Sequence, residues 1–229
     1  MIKESFDKES IVSKIKKLLT LANSTEGNEN ERDTAMKMVA KLITQYKIVD
    51  ADINTPKEGT ISKSFKASSS TWVRNIINSV VKMNYCSMYY IRIDNSYAFF
   101  YVIGKEIEVD ASIELSKVLI KSIGKEARTK AKLYPYDKSY KRSFENSASY
   151  RVGVRTSSII TDLIEHEKSE GTGKDLMIIN QYDQAEEDNQ KYLDEQNIKI
   201  KIKSSRTFKL NSYSGYVDGN NYGKTLNIS

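Results

Sequence analysis

The sequence predicts an α+β fold in which an N-terminal αα-hairpin docks on a mixed domain with a small antiparallel sheet and two long helices. Apolar residues recur at helical spacing through most of the chain, and two short runs rich in Tyr, Phe and Ile interrupt this pattern near its middle. Only two prolines occur in 229 residues, which permits long helices. A content of 39% hydrophobic and 29% charged residues is typical of a chain that folds around a core.

Residues 1–50 predict a helical hairpin that forms a module of its own. In its first half, apolar residues stand at positions 0, 4, 7, 8 and 11 counted from Ile11, which places them on one helix face. Segment 23–28 is a polar turn sequence, and a second apolar stripe runs from Ala35 to Tyr46. A hairpin of this size cannot bury both stripes within itself, so we expect it to dock on the rest of the chain.

A mixed domain is predicted over 61–229, after a linker at 50–60 that contains a proline and a glycine. Its first element is a short strand around Ile61 and Phe65. A helix follows, and its apolar positions are Trp72, Ile76, Ile77, Val80 and Val81.

An antiparallel hairpin is predicted next. Runs 86–93 and 97–103 are rich in β-branched and aromatic residues, and three polar residues separate them. A loop of this length is common between hairpin strands. Gly104 ends the second strand.

Two long helices follow the hairpin. The first begins at Glu106 and ends before Pro135, with a wide apolar face, an acidic start and a basic end. Both charge biases complement the helix dipole. The second helix spans about 139–167 and places Gly153 where a neighbouring helix can approach closely.

The remaining segments predict a buried strand at 176–179, an acidic helix at 183–195 and a half-exposed strand at 198–202. The tail carries three glycines four residues apart, at Gly215, Gly219 and Gly223. On a helix they would share one face and let a second helix approach closely. As loop residues they would only mark turns. We favour the helix, and the loop stays open as the alternative.

A short motif stands out in the N-terminal module. The run Ile15-Lys16-Lys17-Leu18-Leu19-Thr20-Leu21-Ala22 is followed by Asn28, Glu31, Ala35, Leu42 and Tyr46. This pattern resembles the small helical domain of the domain-of-unknown-function family numbered two-seven-eight-six, which is common in phages and bacteria. A second, uncharacterised C-terminal domain usually follows there, and it is resembled by Trp72, segment 102–106, segment 142–144, Gly153 and the terminal glycines. The resemblance implies a phage or prophage context and carries over no catalytic residue.

The most informative feature for function is a basic segment between Lys117 and Arg142. Nine basic and two acidic residues give it a local net charge of +7, against +6 for the whole chain. Four of its cations recur at helical spacing and align on one face: Lys117, Lys121, Lys125 and Arg128. Such a face can simply be solvated, or it can bind a polyanion or an acidic protein.

Our first hypothesis is a phage-encoded, non-enzymatic accessory protein that binds nucleic acid. The cations that would neutralise phosphates are Lys121, Lys125, Arg128, Lys130, Lys132, Lys141 and Arg142, with Arg151 and Arg155 on the next helix. The rings that would stack on bases are Tyr134, Tyr136 and Tyr140. The choice between DNA and RNA stays open.

The alternative hypothesis is an anti-defence protein, which would inhibit a host defence or regulatory factor by binding to it. Its interface would be the Tyr-rich hairpin, with the contact residues Tyr89, Tyr90, Tyr97, Phe99 and Tyr101. The alternation of side chains along a strand must turn roughly half of these rings inwards.

We assign no residue a catalytic, metal-binding or cofactor-binding role. His166 is the only histidine, and without a second histidine or a cysteine ligand we interpret it as a solvated side chain. Cys86 is the only cysteine and is expected to be buried. The carboxylates of 183–195 are expected to form a solvated face. We therefore expect neither enzymatic activity nor a cofactor.

The composition also predicts a compartment. A single cysteine permits no intrachain disulfide, which favours a reducing interior. The sequence has neither the pattern of an export signal nor an apolar stretch of about 18 residues. We expect a cytoplasmic protein without a membrane partner, located in the host cytoplasm if it is phage-encoded.

Overall fold

The computed structural model describes residues 59–169, 174–201 and 211–226, together with six separate positions before residue 50. In chain order its elements are β1 (Ile61–Ser68), α1 (Thr71–Met83), β2 (Ser87–Arg92), β3 (Tyr97–Gly104), α2 (Glu106–Ala131), α3 (Tyr140–Ser169), α4 (Lys174–Glu195) and α5 (Tyr213–Thr225). In this part of the chain the predicted α+β class is confirmed, with five helices and one three-stranded antiparallel sheet.

The sheet has the strand order β1-β3-β2, and both strand pairs are antiparallel. β2 and β3 form the predicted hairpin. The carboxylate of Asp94 holds its turn, because Oδ1 accepts hydrogen bonds from the backbone N–H groups of Ser96 and Tyr97 at 2.6 and 2.8 Å. β1 was expected only as a short strand, but it pairs with β3 along all eight of its residues.

The two faces of the sheet differ in burial. On the inner face, Ala98, Phe100 and Val102 of β3 are fully buried against α1 and α2. On the outer face, α4 packs against β3, and Ile103 is fully buried at that end. Tyr97, at the other end of the same face, is exposed. The outer face of the sheet is therefore covered over only part of its length.

The helices on the inner side of the sheet follow the predicted apolar patterns. All five predicted inward positions of α1 are buried: Trp72, Ile76, Ile77, Val80 and Val81. α2 and α3, with 26 and 30 residues, are the two predicted long helices. α3 packs against both α1 and α2. The long apolar periodicity of the sequence therefore predicted these three helices correctly.

α5 confirms the helical interpretation of the tail. Its three glycines lie on the face that packs on α3: Gly215, Gly219 and Gly223. A Cβ atom added at Gly219 would collide with the backbone of Phe144. Across the same contact, the hydroxyl of Ser147 donates a hydrogen bond of 2.7 Å to the carbonyl oxygen of Tyr216. The two helices approach so closely that only glycine fits between them.

The strands predicted at 176–179 and 198–202 are wrong wherever the structure describes them. Residues 176–179 lie in the first turns of α4, where Leu176 is exposed and Ile178 is buried. Residues 198–201 form no strand, and residue 202 lies outside the described part. An apolar run of four residues does not distinguish a strand from a buried helical turn, and here the polar helix that follows extends through it.

The predicted N-terminal hairpin lies outside the described residues, apart from six helical positions. Two of these, Leu18 and Leu42, are half-buried and pack against the hydrophobic core. The division into a module at 1–50 and a domain at 61–229 stays a prediction.

Candidate nucleic-acid interface

One line of charged side chains runs along the exposed face of α2. They stand at 0, 4, 8, 11, 15, 19 and 22 counted from Glu106, so they share one face of the helix. We call this line the α2 stripe, and its members are Glu106, Asp110, Glu114, Lys117, Lys121, Lys125 and Arg128. All of them are partly or fully exposed. The stripe is acidic in its first half and cationic in its second.

Ion pairs neutralise the first half of the α2 stripe. Lys63 of β1 donates hydrogen bonds to Glu106 at 3.0 Å and to both carboxylate oxygens of Asp110 at 2.9 and 3.0 Å. The bond to Asp110 raises the pKa of Lys63 above its ordinary value. Further along the helix, Lys117 donates to Glu114 at 2.7 Å. Little unbalanced charge is left in this half.

Within the described ranges, the cations from Lys121 onwards in the stripe have no such partners. We call the five cations at this end of α2 the cationic end, and they are Lys121, Lys125, Arg128, Lys130 and Lys132. In the part of the chain that the structure describes, none of these side chains forms an ion pair or a hydrogen bond. Glu126, the one acidic residue among them in sequence, is only half-exposed. The cationic end therefore carries a local excess of positive charge.

The loop between α2 and α3, residues 132–139, presents apolar side chains beside the cationic end. Leu133 is 71% exposed and Tyr136 is 98% exposed. Backbone hydrogen bonds close the turns of the loop. The N–H of Leu133 donates to the backbone carbonyl oxygen of Lys130 at 2.9 Å, and the N–H of Asp137 donates to that of Tyr134 at 3.0 Å. The loop thus has a defined backbone conformation in spite of its exposure.

Tyr134 and Tyr140 form a stacked pair at the base of the loop, with ring centroids 4.3 Å apart and planes inclined by 14°. Tyr140 is fully buried, and its hydroxyl donates a hydrogen bond of 2.5 Å to Asp218 of α5. Burial and this bond raise the pKa of Tyr140. The prediction that Tyr140 stacks on a base is wrong, because its ring is not accessible. Tyr134 keeps 37% of its surface exposed.

Asp137 ties the loop to the starts of two helices. Its Oδ1 accepts the backbone N–H of Ser139 at 3.0 Å, just before α3. Its Oδ2 accepts the hydroxyl of Ser212 at 2.5 Å. The hydroxyl oxygen of Ser212 in turn accepts the N–H of Gly215 and caps α5. The loop therefore rests on both α3 and α5.

The start of α3 adds some of the predicted cations to this surface. Lys141 does not extend it, because it forms an ion pair of 2.9 Å with the nearly buried Glu145. Arg142 is exposed, and so is Lys138 in the loop. Neither of these two side chains has an ion-pair or hydrogen-bond partner among the described residues.

The structure corrects the prediction for Arg155, whereas the role of Arg151 stays a prediction. Arg155 is half-buried against α5, where its guanidinium donates to the carbonyl oxygen of Gly223 at 3.1 Å. Arg151 is half-buried beside the same glycine. Arg155 therefore serves the contact between α3 and α5 and does not continue the cationic end along α3. For Arg151 only the Cβ is placed in that contact, so its role in the interface stays a prediction.

The predicted protein interface is divided between the two faces of the sheet. Tyr90 lies on the inner face, where it packs on Phe100 and its hydroxyl accepts a hydrogen bond of 2.8 Å from Arg74. Its assignment as a contact residue is therefore corrected. Tyr89 and Tyr101 stand opposite each other on the outer face and stack with ring centroids 4.7 Å apart.

The uncovered end of the outer face is apolar. Tyr97 is 47% exposed and Phe99 is 41% exposed. Ile91 stands opposite Phe99 in the register, and both Ile91 and Ile93 are exposed. The amine of Lys66 lies 4.7 Å from the ring centroid of Tyr97. We call Ile91, Ile93, Tyr97 and Phe99 the outer sheet patch.

Sequence reasoning missed several of these residues. The two isoleucines of the outer sheet patch could have been found by continuing the alternation from Tyr89. Asp137 stands just before a predicted helix, where an N-capping residue is expected. Ser212 and Asp218 give no local signal, because they lie 75 and 78 residues from their partners in the chain.

The other candidate residues give little support for a further functional site. Cys86 is buried, as expected. The carboxylates of α4 are mostly exposed, and two of them accept hydrogen bonds from glutamine side chains one turn away. Within the described ranges, no three His, Cys, Asp or Glu side chains converge as metal ligands would, and no helix is both long and apolar enough to cross a membrane. His166 lies on α3, but its side chain is outside the described residues.

Comparison with known proteins bears on the N-terminal module. Residues 10–49 match the model of a family described as "Protein of unknown function (DUF2786)". This match confirms the resemblance for that segment. No curated protein and no solved structure matches the chain. The surfaces described above must therefore be interpreted from their own chemistry.

Proposed function

We propose that this protein is a non-enzymatic accessory protein that binds nucleic acid through the cationic end of α2. The observation that carries the proposal is the contrast along the α2 stripe. Ion pairs neutralise its first half, while the cations of its second half have no partners among the described residues. A polyanion would supply those partners. The family resemblance adds a phage or prophage as the expected source and the host cytoplasm as the expected location.

The helix dipole does not account for the cationic end. A cation near the C-terminus of a helix is stabilised by the dipole, but this effect is confined to the last turn. Lys121 and Lys125 stand ten and six residues before Ala131, where α2 ends. The dipole therefore gives no reason for cations at these two positions, whereas a phosphate backbone lying along the helix does.

The length of the cationic end fits a phosphate backbone. From Lys121 to Lys132 the helix rises about 16 Å. Duplex DNA carries about nine charges over that distance. Lys130 stands nine residues after Lys121 and therefore lies on the opposite side of the helix. If the other four cations contact phosphates, the logarithm of the binding constant should fall with the logarithm of salt concentration with a slope of about −2.8 for a single strand and about −3.6 for B-DNA.

The test compares two double variants that remove the same charge. Lys121→Ala/Lys125→Ala removes two residues of the cationic end, and Lys82→Ala/Lys199→Ala removes two exposed lysines elsewhere. Binding is followed by fluorescence anisotropy with labelled single- and double-stranded DNA and RNA at about 0.1 M salt. Two phosphate contacts contribute about 1.4 to the salt slope, so over the one decade from 1 M to 0.1 M salt they change the binding constant by a factor of roughly 25. We therefore expect the first variant to bind single strands roughly 25-fold more weakly.

The control variant is expected to lose less than about twofold in affinity, since its lysines lie outside the proposed interface. Equal losses for the two variants would show that only net charge matters, and the proposal would then fail. It would also fail if the wild-type protein bound none of these nucleic acids at about 0.05 M salt.

The outer sheet patch favours a second candidate function, an inhibitor that binds a host defence or regulatory protein. Four large apolar side chains exposed together are typical of a protein contact. The test is a pull-down from host lysate with the wild-type protein and with Phe99→Glu. A stoichiometric partner that the variant loses supports this function. Equal recovery with both proteins, or no stoichiometric partner, argues against it.

A further inference from the structure

We infer that the loop between α2 and α3 is a platform on which an unpaired base stacks, so that the nucleic acid is single-stranded where it meets the loop. This inference rests on the proposed function and narrows it to one class of ligand. Three features of residues 132–139 carry it. They are an exposed tyrosine that stacks on another ring by one face, a fixed support beneath that ring, and cations on both sides of it in the sequence that have no partners among the described residues.

The open ring is that of Tyr134. One of its faces lies on Tyr140, with 4.3 Å between the ring centroids and 14° between the planes. The residue as a whole is nevertheless 37% exposed, and in the described part of the chain no second ring stacks on the other face. A base placed there would continue the stack that the two tyrosines begin.

The support beneath Tyr134 is in place before any ligand binds. Tyr140 is fully buried, and its hydroxyl is bonded to Asp218. Asp137 joins the loop to Ser212 at the start of α5. A ring that is already held in position loses little conformational entropy when a base stacks on it. The loop is therefore preorganised for stacking.

Cations stand on both sides of the ring in the sequence. Lys130 and Lys132 precede it, and Lys138 and Arg142 follow it. None of the four has an ion-pair partner among the residues that the structure describes. A single strand uses both kinds of contact, because its phosphates need cations and its bases need flat apolar surfaces. Tyr136, which is 98% exposed, offers a second ring at the tip of the loop.

A duplex does not suit this platform. In a double helix each base face is covered by its neighbours, so a protein surface meets only phosphates and groove edges. The cationic end can bind either form, whereas the ring of Tyr134 adds affinity only for unpaired bases. The inference thus predicts a selectivity that cations alone do not provide.

An anionic membrane surface is the competing ligand for a loop of this composition. Exposed Leu133 and Tyr136 next to lysines are typical of segments that enter the headgroup region of a bilayer. We favour nucleic acid because Tyr134 is held by one face on a buried ring. Base stacking uses that geometry, and insertion into lipid does not require it.

The test measures binding of the full chain to a labelled 20-nucleotide oligothymidine strand and to a 20-base-pair duplex, at about 0.1 M salt. Tyr134→Ala is expected to weaken binding to the strand about tenfold and binding to the duplex by less than about twofold. Tyr134→Phe keeps the ring and should bind like the wild type. Tyr150→Ala, the matched control, removes a tyrosine that is 65% exposed on α3 and should change neither affinity.

Two further measurements separate a lost contact from a lost fold. Tyr136→Ala alters a side chain that is 98% exposed, so it should leave the thermal unfolding curve unchanged and weaken binding to the strand about threefold. Ultraviolet cross-linking of the wild-type protein to a strand containing 5-bromouracil, mapped by mass spectrometry, should label Tyr134 or Tyr136.

Three results would overturn the inference. In the first, Tyr134→Ala affects strand and duplex equally or affects neither, while Lys121→Ala/Lys125→Ala weakens both, and the proposed function then survives alone. In the second, the cross-links lie outside 132–139. In the third, both loop variants bind the strand normally but lose binding to vesicles that contain phosphatidylserine. Absence of any nucleic-acid binding by the wild type would remove the proposed function as well.

Discussion

The two halves of α2 carry charged side chains at the same spacing but use them differently. In the first half, Lys63 and Lys117 pair with three carboxylates at distances of 2.7 to 3.0 Å, so two positive charges offset all but one of three negative charges. These charges serve the fold, because they join the helix to the sheet and to its own next turn. In the second half, the cations have no partners in the described part of the chain. A line of charge is therefore a candidate binding surface only where local partners are missing.

The second half also differs in what supports it. It ends in a loop that is held from below by the buried Tyr140 and by the start of α5. The proposed binding surface thus depends on a helix that lies more than 70 residues further along the chain. The largest expected effects come from disturbing that support, and the smallest from disturbing the ion pairs of the first half.

Breaking the support should have the largest effect. Gly219→Ala drives a methyl group into the backbone of Phe144, so α5 must shift away from α3. We expect the free energy of unfolding, measured in urea, to fall by about 3 kcal/mol. The control is Gly59→Ala, where an added Cβ meets nothing within 4 Å and the change should stay below about 0.5 kcal/mol. Equal stability of the two variants would be inconsistent with the close packing of α5.

The second expected effect is a dependence of stability on pH, which arises from buried tyrosines near the start of α2. Tyr85 lies near Glu108 of the first turn and stacks on Tyr182 of α4, with ring centroids 4.0 Å apart. Burial raises the pKa of Tyr85 from 10 to about 12. The folded state favours the neutral hydroxyl. The contribution of this group to the free energy of unfolding is therefore complete below pH 10 and is lost as pH rises from 10 to 12.

This shift of about 2 units corresponds to at most roughly 2.7 kcal/mol of unfolding free energy. Urea unfolding at several pH values between about 9 and 12 should therefore show a steep loss of stability in the wild type. The loss should be shallower in Tyr85→Phe, which has no hydroxyl to ionise, and unchanged in the exposed control Tyr150→Phe. The same pH dependence in all three proteins would refute this explanation.

Disturbing the neutralised half should have the smallest effect. Asp110→Asn removes the main partner of Lys63, but the two side chains are 40% and 37% exposed. A pair this exposed contributes only about 0.5 kcal/mol to the free energy of unfolding. Affinity for nucleic acid should change by less than about threefold. A gain as large as the loss expected for Lys121→Ala/Lys125→Ala would mean that the two halves of the stripe act as one surface.

Long periodic patterns made much of the fold predictable. The boundaries of α1, α2 and α3 follow from apolar stripes several turns long, and the hairpin follows from alternation and a short polar loop. The start of α4 was missed because four apolar residues do not define a period. The extent of β1 was missed because its outer side chains are three serines and a lysine, a composition that also suits a linker.

The candidate interface was predictable only in part. The spacing of Lys121, Lys125 and Arg128 was enough to place them on one exposed face. Which charges of α2 are paired could not be predicted, because the partner of Asp110 is Lys63, which lies on β1. The burial of Tyr140 also depends on a distant residue, Asp218, and on a glycine face that lets α5 come close. Contacts between distant segments leave no local pattern in a single sequence.

The salt dependence of binding to the oligothymidine strand tests the central claim most directly. Between about 0.05 and 0.3 M salt, the four cations on the exposed face of this end of α2, which have no partners among the described residues, predict a slope of about −2.8 for the wild type and about −1.4 for Lys121→Ala/Lys125→Ala. The slope for Lys82→Ala/Lys199→Ala should equal that of the wild type. A wild-type slope near zero, or the same slope for all three proteins, would contradict the claim that these cations bind phosphates.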